Sequence, residues 1–274
     1  DMHPWRWCAA ALLCVSACAY PEVRTYADLS ARTAARFADL ATDYQDSQER
    51  ADLLRVVAQE PTLGPVLSDE ALAGMLSVQA TLLDYFEALA ELASDEVVDS
   101  DDALASLDEA LLGAGVLDDS LVRARDGLAG LAARAVASWF VHDKLREVMS
   151  EADPAVSVLV DGVLGWSTQY DLQLQRENSV LGDVEDKDAA SALSLAEYRR
   201  ALEDRRRYVA EFTQDMQAVA ARHTELANAP GDFDSAAVKD IVDAYWSDLA
   251  DHERVLRRTR DSATTRRLGR RALR

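Results

Sequence analysis

The sequence predicts an all-α protein, and three observations lead to that prediction. Alanine and leucine dominate, and only six prolines and eleven glycines interrupt the 274 residues. Apolar residues recur at spacings of three and four over long stretches, which is typical of amphipathic helices. No stretch shows the sustained period-two alternation that strands require. We expect an elongated helical bundle with long antiparallel, coiled-coil-like helices.

The first two helices have clear boundaries. The first begins at Pro21 and ends near Gln59, because Pro61 and the glycine and proline that follow it stop a helix. The second starts at a cap at Ser68 and extends to about Ser94. The residues expected to face inward are Tyr26, Leu29, Phe37, Leu40, Tyr44, Ala51 and Leu54 in the first helix and Leu72, Met75, Leu76, Leu82, Leu83, Phe86 and Leu89 in the second.

The middle of the chain predicts three further helices. A short helix over 103–112 is followed by a helix over 120–150. Asp153 and Pro154 then provide a cap and a proline at the first helical position, which is a common way for a helix to begin. We therefore expect a fifth helix from Pro154 to about Leu181.

The longest predicted helix covers 189–228, after a break or kink over 182–188, and it carries a heptad pattern. One seam position holds Leu195, Leu202, Val209, Met216 and His223, and the other holds Tyr198, Arg205, Phe212, Val219 and Leu226. A period nearer 3.5 than 3.6 predicts left-handed supercoiling. A turn at Pro230 leads to a last helix capped by Asp234 or Ser235, and such a short loop predicts antiparallel neighbours.

Two polar residues, Arg205 and His223, interrupt this apolar seam. In one interpretation they set the register or the choice of partner. In the other, which we favour on the sequence, both lie where the bundle opens to water.

The most specific motif lies in the first eighteen residues. Arg6 supplies a positive start, residues 7–17 are apolar, and small residues at 15–17 precede Cys18. This stretch resembles a bacterial lipoprotein signal peptide. The resemblance implies cleavage before Cys18, a diacylglycerol on its thiol and acylation, as with palmitate, of the new amino terminus. Ala19, in place of aspartate, implies anchoring in the outer membrane with the protein facing the periplasm.

Two other interpretations of this stretch remain open. One is an ordinary secretory signal cut near Ala19, and the other is an uncleaved membrane helix. The uncharged run over 7–20 is shorter than the ~20 residues that a spanning helix needs. We therefore predict a signal peptide over 1–17, a single helical-bundle domain over 18–262 and a basic C-terminal tail over 263–274.

Charge is distributed unevenly. The net charge is −20, but nine arginines and one acid over 254–274 give that segment +8, which leaves −28 for residues 1–253. The basic end is expected to contact a polyanion or a membrane surface, to pair with the acidic body, or merely to aid solubility. The residues proposed for polyanion or membrane contact are Arg257, Arg258, Arg260, Arg266, Arg267, Arg270, Arg271 and Arg274.

No motif in the chain indicates catalysis, a cofactor or a metal. All three cysteines lie within residues 1–18, so the rest of the chain has no thiol pair or cysteine ligand. Asp248 and His252 share one helix face and are at most half of a metal site. Four carboxylates over 183–188 lack the spacing of a calcium-binding loop. Nucleophile-elbow, phosphate-loop and dinucleotide motifs are missing from the sequence.

The sequence therefore predicts a non-enzymatic, lipid-anchored envelope protein, with Cys18 attached to the membrane. Its expected role is a scaffold or binding module for an unidentified envelope protein. The alternatives are an inhibitor or immunity lipoprotein that acts against a toxin or an enzyme, and a hydrolase of envelope polymers. Nucleic acid is not an expected partner, because the body of the protein is acidic.

Overall fold

The computed structural model describes residues 20–59, 61, 68–94, 118–137, 145–187 and 192–250, with side chains excepted at 134–137, 184–187 and 192–194. Within these ranges the regular structure is entirely helical, as predicted, and no strand occurs in them. The helices are α1 (Pro21–Ala58), α2 (Asp69–Leu92), α3 (Asp119–Ala137), α4 (Leu145–Lys187), α5 (Ala192–Ala227) and α6 (236–250).

The predicted bounds of α1 and α2 are confirmed to within two residues. Gln59 ends α1 in the left-handed conformation, with φ of 60°, and its N–H bonds back to carbonyls of the last turn. Ser68 caps α2, because its hydroxyl accepts the N–H of Ala71 at 3.2 Å. The residues predicted to face inward are buried, except that Leu54, Leu76 and Leu83 are half-buried against the same core.

In the middle of the chain, the helix start predicted at Ser120 is confirmed to within one residue, but the boundaries predicted at 150–154 and at 182 are wrong. Helix α4 runs without interruption through Pro154 and Gly182. Proline inside a helix removes one hydrogen bond and costs about 3 kcal/mol. The helix continues because its apolar face does: Met149, Ala152, Val156 and Leu159 are all fully buried on either side of the proline.

Two side chains near these boundaries also differ from expectation. Asp153 does not begin a helix, since its carboxylate accepts hydrogen bonds from the side chains of His223 and Thr224 on α5. Helix α3 is capped one residue before its start by Asp118, whose carboxylate accepts the N–H groups of Ser120 and Leu121. The predicted helix over 103–112 lies outside the described residues.

Helix α4 contacts α1, α2, α3 and α5, helix α1 contacts α2, α4 and α5, and α3 also packs on α2. Contacts between α4 and α5 join Asp171 to Arg206 and Asp153 to His223, so residue numbers fall along one helix as they rise along the other.

The core between these helices is rich in aromatic side chains. Phe37 and Trp166 meet edge-on with ring centroids 4.6 Å apart. The largest fully buried side chains include Tyr26, Tyr44, Tyr85, Tyr170, Tyr245, Phe37, Phe86 and Phe212. Among the described helices, none has a stretch long and apolar enough to cross a bilayer.

Candidate functional site: a groove between α1 and α4

A surface groove of about 450 Å³ lies between α1 and α4, near the start of α2. A volume in this range is typical of sites that hold a small molecule or a few side chains. The charged residues that line it are Asp46, Glu49 and Asp52 of α1, Asp69 of α2, and the two arginines Arg55 and Arg176. Four carboxylates against two guanidinium groups give the groove a negative potential.

Gln173 of α4 also lines the groove and is the buried polar group in its lining. Only 5% of the residue is exposed, and its amide is not among the fully buried side-chain atoms that lack a hydrogen-bond partner.

An apolar cluster borders the groove at the end of α1, and we call Leu53, Val56 and Val57 the α1 patch. These side chains are 68%, 65% and 64% exposed. Their spacing of three and four places them on one helix face, next to Asp52 and Arg55 of the groove. Adjacent exposed apolar side chains with a polar rim are typical of protein contact sites.

A buried ionic network lies beneath the groove and holds α1, α4 and α5 together. The carboxylate of Glu177 is fully buried. It accepts hydrogen bonds from Ser47 Oγ at 2.5 Å, from Arg50 Nε at 2.9 Å and from the Tyr198 hydroxyl. Arg50 also lies 3.3 Å from Asp43. We call this set the Glu177 network.

Electrostatics within the Glu177 network favours fixed protonation states. Burial opposes the charge of Arg50, but the hydrogen bonds and the negative charge of Glu177 outweigh it and raise the pKa of Arg50. Burial, together with the charge of Glu177, raises the pKa of Tyr198. The tyrosine therefore stays protonated and donates to the carboxylate, which joins α5 to α4 at this point.

A second network centres on His223 and joins α2, α4 and α5. His223 Nδ1 lies 2.9 Å from Asp153 Oδ1, and its Nε2 lies 2.7 Å from the Tyr85 hydroxyl. A carboxylate only accepts, so Nδ1 carries a proton, while Nε2 and the tyrosine hydroxyl share the second hydrogen bond. The hydrogen bond from His223 lowers the pKa of Asp153.

The order carboxylate, imidazole, hydroxyl is also that of a nucleophilic triad, but this site does not have the accessibility that catalysis requires. His223 is 0% exposed and Tyr85 is 1% exposed. Burial raises the pKa of Tyr85, which disfavours a nucleophilic phenolate. None of the three residues lines the groove. The arrangement is suited to holding three helices in register.

The favoured interpretation of the two seam residues is wrong for His223, since that side chain is fully buried and does not face water. Its partners come from α2 and α4, and the heptad pattern of one helix contains no information about them. Arg205 is intermediate: its side chain is 31% exposed and its Nε lies 3.2 Å from Asp43. Both residues make specific contacts between helices, which is the arrangement that register-setting requires.

The remaining predicted site residues are distributed as follows. Cys18, His252 and the C-terminal arginines lie outside the described residues. Asp248 lies 3.5 Å from Arg222 on α5. Throughout the part of the chain that the structure describes, no three histidine, cysteine or carboxylate side chains are close enough together to hold a metal ion.

Sequence reasoning missed the buried acids, above all Glu177 and Asp215. Asp215 is 1% exposed and pairs with Arg36, whose guanidinium lies 5.2 Å from the centre of the Tyr208 ring. A signal for Glu177 was present, because it follows Tyr170 and Leu174 at helical spacing on the buried face of α4. The groove was missed because Gln173 and Asp69 reach α1 only through tertiary packing.

Comparisons of the chain with protein-family models, with curated proteins and with solved structures found no match. Function is therefore argued from the residues of this chain alone.

Proposed function

We propose that the chain is a lipid-anchored envelope lipoprotein, non-enzymatic, that holds a partner protein through the α1 patch. The observation that carries the proposal is the exposure of Leu53, Val56 and Val57 together on one face. Burying an apolar side chain at an interface contributes about 1.5–3 kcal/mol. Three such side chains are enough to form the apolar centre of an interface with a polar rim around it.

The negative charge of this surface indicates what kind of partner it fits. The groove beside the patch carries four carboxylates, and residues 1–253 carry −28. A surface of this kind attracts and orients a partner that has basic residues around an apolar centre. The inhibitor or immunity interpretation is a special case of the same surface, in which the partner is a basic enzyme or toxin.

The proposed shape is an elongated bundle with coiled-coil-like pairing. Helix α4 has 43 residues, which amount to about 65 Å at ~1.5 Å per residue. The seam residues of α5 support the same proposal, because Leu202, Val209, Phe212, Met216, Val219 and Leu226 are buried and Leu195 and Tyr198 pack against the core. A rigid body of this length presents the α1 patch at a set distance from its anchor.

The patch is tested by crosslinking in the cell. A photoreactive residue at Val56 should capture one envelope protein, and Leu53→Asp should abolish that capture. Leu172→Asp is the matched control, since Leu172 is 43% exposed on α4, and it should leave capture unchanged. Equal capture by both variants would mean that the α1 patch is not the contact.

The anchor is tested separately. Cys18→Ala should block labelling by a palmitate analogue, and the protein should then be soluble in the periplasm or remain as an unprocessed precursor. Unchanged labelling, or a processed protein that stays on membranes after a salt wash, would refute the anchor at Cys18.

A further inference from the structure

We infer that the last turns of α1, residues 51–59, form a separate cooperative unit that opens and closes while the rest of the bundle stays folded. We call this segment the α1 end, and it contains the α1 patch. Local opening of this kind occurs where few buried contacts stabilise a segment. The opening concerns the protein alone, whereas its effect on partner binding rests on the proposed function.

Few buried side chains attach the α1 end to the bundle. Ala51 and Ala58 are its buried residues, and Leu54 is half-buried. Ala58 packs with Val180 of α4 in a small cluster apart from the main core, and Leu54 and Leu195 of α5 pack against both clusters. Because stabilisation by burial scales with the apolar area removed from water, two alanine methyl groups contribute little.

The preceding turns of α1 are attached much more strongly. Leu40 and Tyr44 are each 1% exposed and belong to the main core. Beyond them, Ser47 and Arg50 donate hydrogen bonds to the buried carboxylate of Glu177. Hydrogen bonds to an ionised group are stronger than those between neutral groups. The boundary of the unit therefore lies directly after Arg50.

Two further features lower the stability of the closed α1 end. Its outward side chains, Leu53, Val56 and Val57, remain 64–68% exposed, so closing the segment does not remove them from water. Gln59 ends the helix with φ of 60°, a left-handed conformation that glycine adopts readily and that costs free energy for a residue with a Cβ atom. The segment thus closes with little gain on its outer face and with strain at its terminus.

Opening of the α1 end disperses the α1 patch. The side chains at 53, 56 and 57 share one face only while these residues are helical. A partner that packs on all three therefore binds the closed form, and its binding shifts the equilibrium toward that form. In the proposed function, the partner and the closed α1 end stabilise each other.

Amide hydrogen exchange of the purified full chain, followed residue by residue by NMR, tests the opening. Amides of residues 54–58 should be protected about a hundredfold less than those of residues 37–44, and all to a similar degree. Residues 88–92 of α2 are the matched control, because they also end a helix but bury Ala88, Leu89 and Ala90. Protection that falls gradually from residue 44 to residue 58 would indicate ordinary fraying and overturn the inference, as would equal protection of the two helix ends.

Leu54→Pro and Leu40→Pro provide a second test, because proline inside a helix removes a hydrogen bond and clashes with the preceding turn. Leu54→Pro should open the α1 end and leave the protection of residues 37–44 within about threefold of the wild type, whereas Leu40→Pro should unfold the bundle. Loss of protection throughout the bundle in Leu54→Pro would show that the α1 end is not a separate unit.

The effect on partner binding has its own readout. Leu54→Pro should abolish capture by the photoreactive residue at Val56, and capture that survives this substitution would overturn the requirement for the closed form. The exchange measurements use the protein alone, so they decide the opening whether or not the α1 patch has a partner.

Discussion

Glu177→Ala measures how much a buried carboxylate contributes to the stability of this bundle. The substitution removes an ion that accepts from Ser47 Oγ at 2.5 Å, from Arg50 Nε at 2.9 Å and from the hydroxyl of Tyr198. The buried hydroxyl of Ser47 loses its acceptor, while Arg50 keeps the carboxylate of Asp43 at 3.3 Å. We expect the variant to fold with a much lower free energy of unfolding.

The magnitude follows from the burial of the two charged partners. Removing one member of a buried ion pair costs about 3–5 kcal/mol, because the other charge is left without compensation. The side chain of Arg50 is 20% exposed, so water and Asp43 compensate part of its charge once Glu177 is removed. We therefore expect the lower end of this range, about 3 kcal/mol. In a chain of this size, that loss lowers Tm by about 6–12 °C.

Urea denaturation followed by circular dichroism measures this change as a shift of the midpoint at constant slope. Asp161→Ala, at an exposed position of the same helix, is the control and should stay within about 0.5 kcal/mol of the wild type. Glu177→Leu combined with Arg50→Met should recover most of the loss, because the pair is then replaced as a unit. A loss below about 1 kcal/mol in Glu177→Ala would refute the reasoning.

Three further predictions concern other parts of the bundle. Tyr85→Phe leaves the buried Nε2 of His223 without its hydrogen-bond partner and should cost about 1–3 kcal/mol in urea denaturation. Burial and the charge of Glu87 raise the pKa of Asp84 from 3.8 to about 6, so the folded state binds that proton more tightly and the contribution of Asp84 to stability falls as pH rises from 4 to 6. Asp84→Asn should remove that fall and raise the free energy of unfolding by about 1 kcal/mol at pH 7, a value that allows for solvent screening. Gly165→Ala should raise Tm through a gain of about 0.5–1 kcal/mol, since nothing lies within 4 Å of the added Cβ.

Two of these predictions have a control variant in the chain. An equal change in stability between pH 4 and 6 in the wild type and in Asp84→Asn would contradict the assignment to Asp84, and Glu87→Gln should reduce the difference between them without abolishing it. Gly162→Ala should gain less than Gly165→Ala, because its Cβ would lie 2.6 Å from Leu121 Cδ2 on α3. Tyr85→Phe at wild-type stability would mean that water replaces the hydroxyl.

The sequence predicted those features of the fold that depend on local chemistry. Caps and breakers such as Ser68 and Pro61 are short-range signals, and the bounds they predicted for α1 and α2 agree with the structure. Pro154 misled the prediction, because the apolar face of α4 continues past it and packing outweighs the local cost. A local pattern contains no information about that balance.

The candidate site was less predictable for a related reason. Asp46, Glu49 and Asp52 recur at a spacing of three, so their shared face was visible in the sequence. These acids line a groove because α4 places Gln173, more than a hundred residues later in the chain, beside α1. In the same way, the heptad located His223 in a seam, but Tyr85 lies 138 residues away and Asp153 lies 70 residues away.

The contact at the start of α1 has a mechanical consequence. The N–H of Tyr20 donates to the carbonyl of Ala93 at 3.0 Å, and its ring meets Phe233 edge-on. A pull on the chain ahead of residue 20 therefore loads α1, the end of α2 and the turn before α6 together. Under the anchoring that we propose at Cys18, two residues, or at most ~7 Å of chain, lie between the lipid and this junction, so a force applied through the lipid reaches the bundle directly.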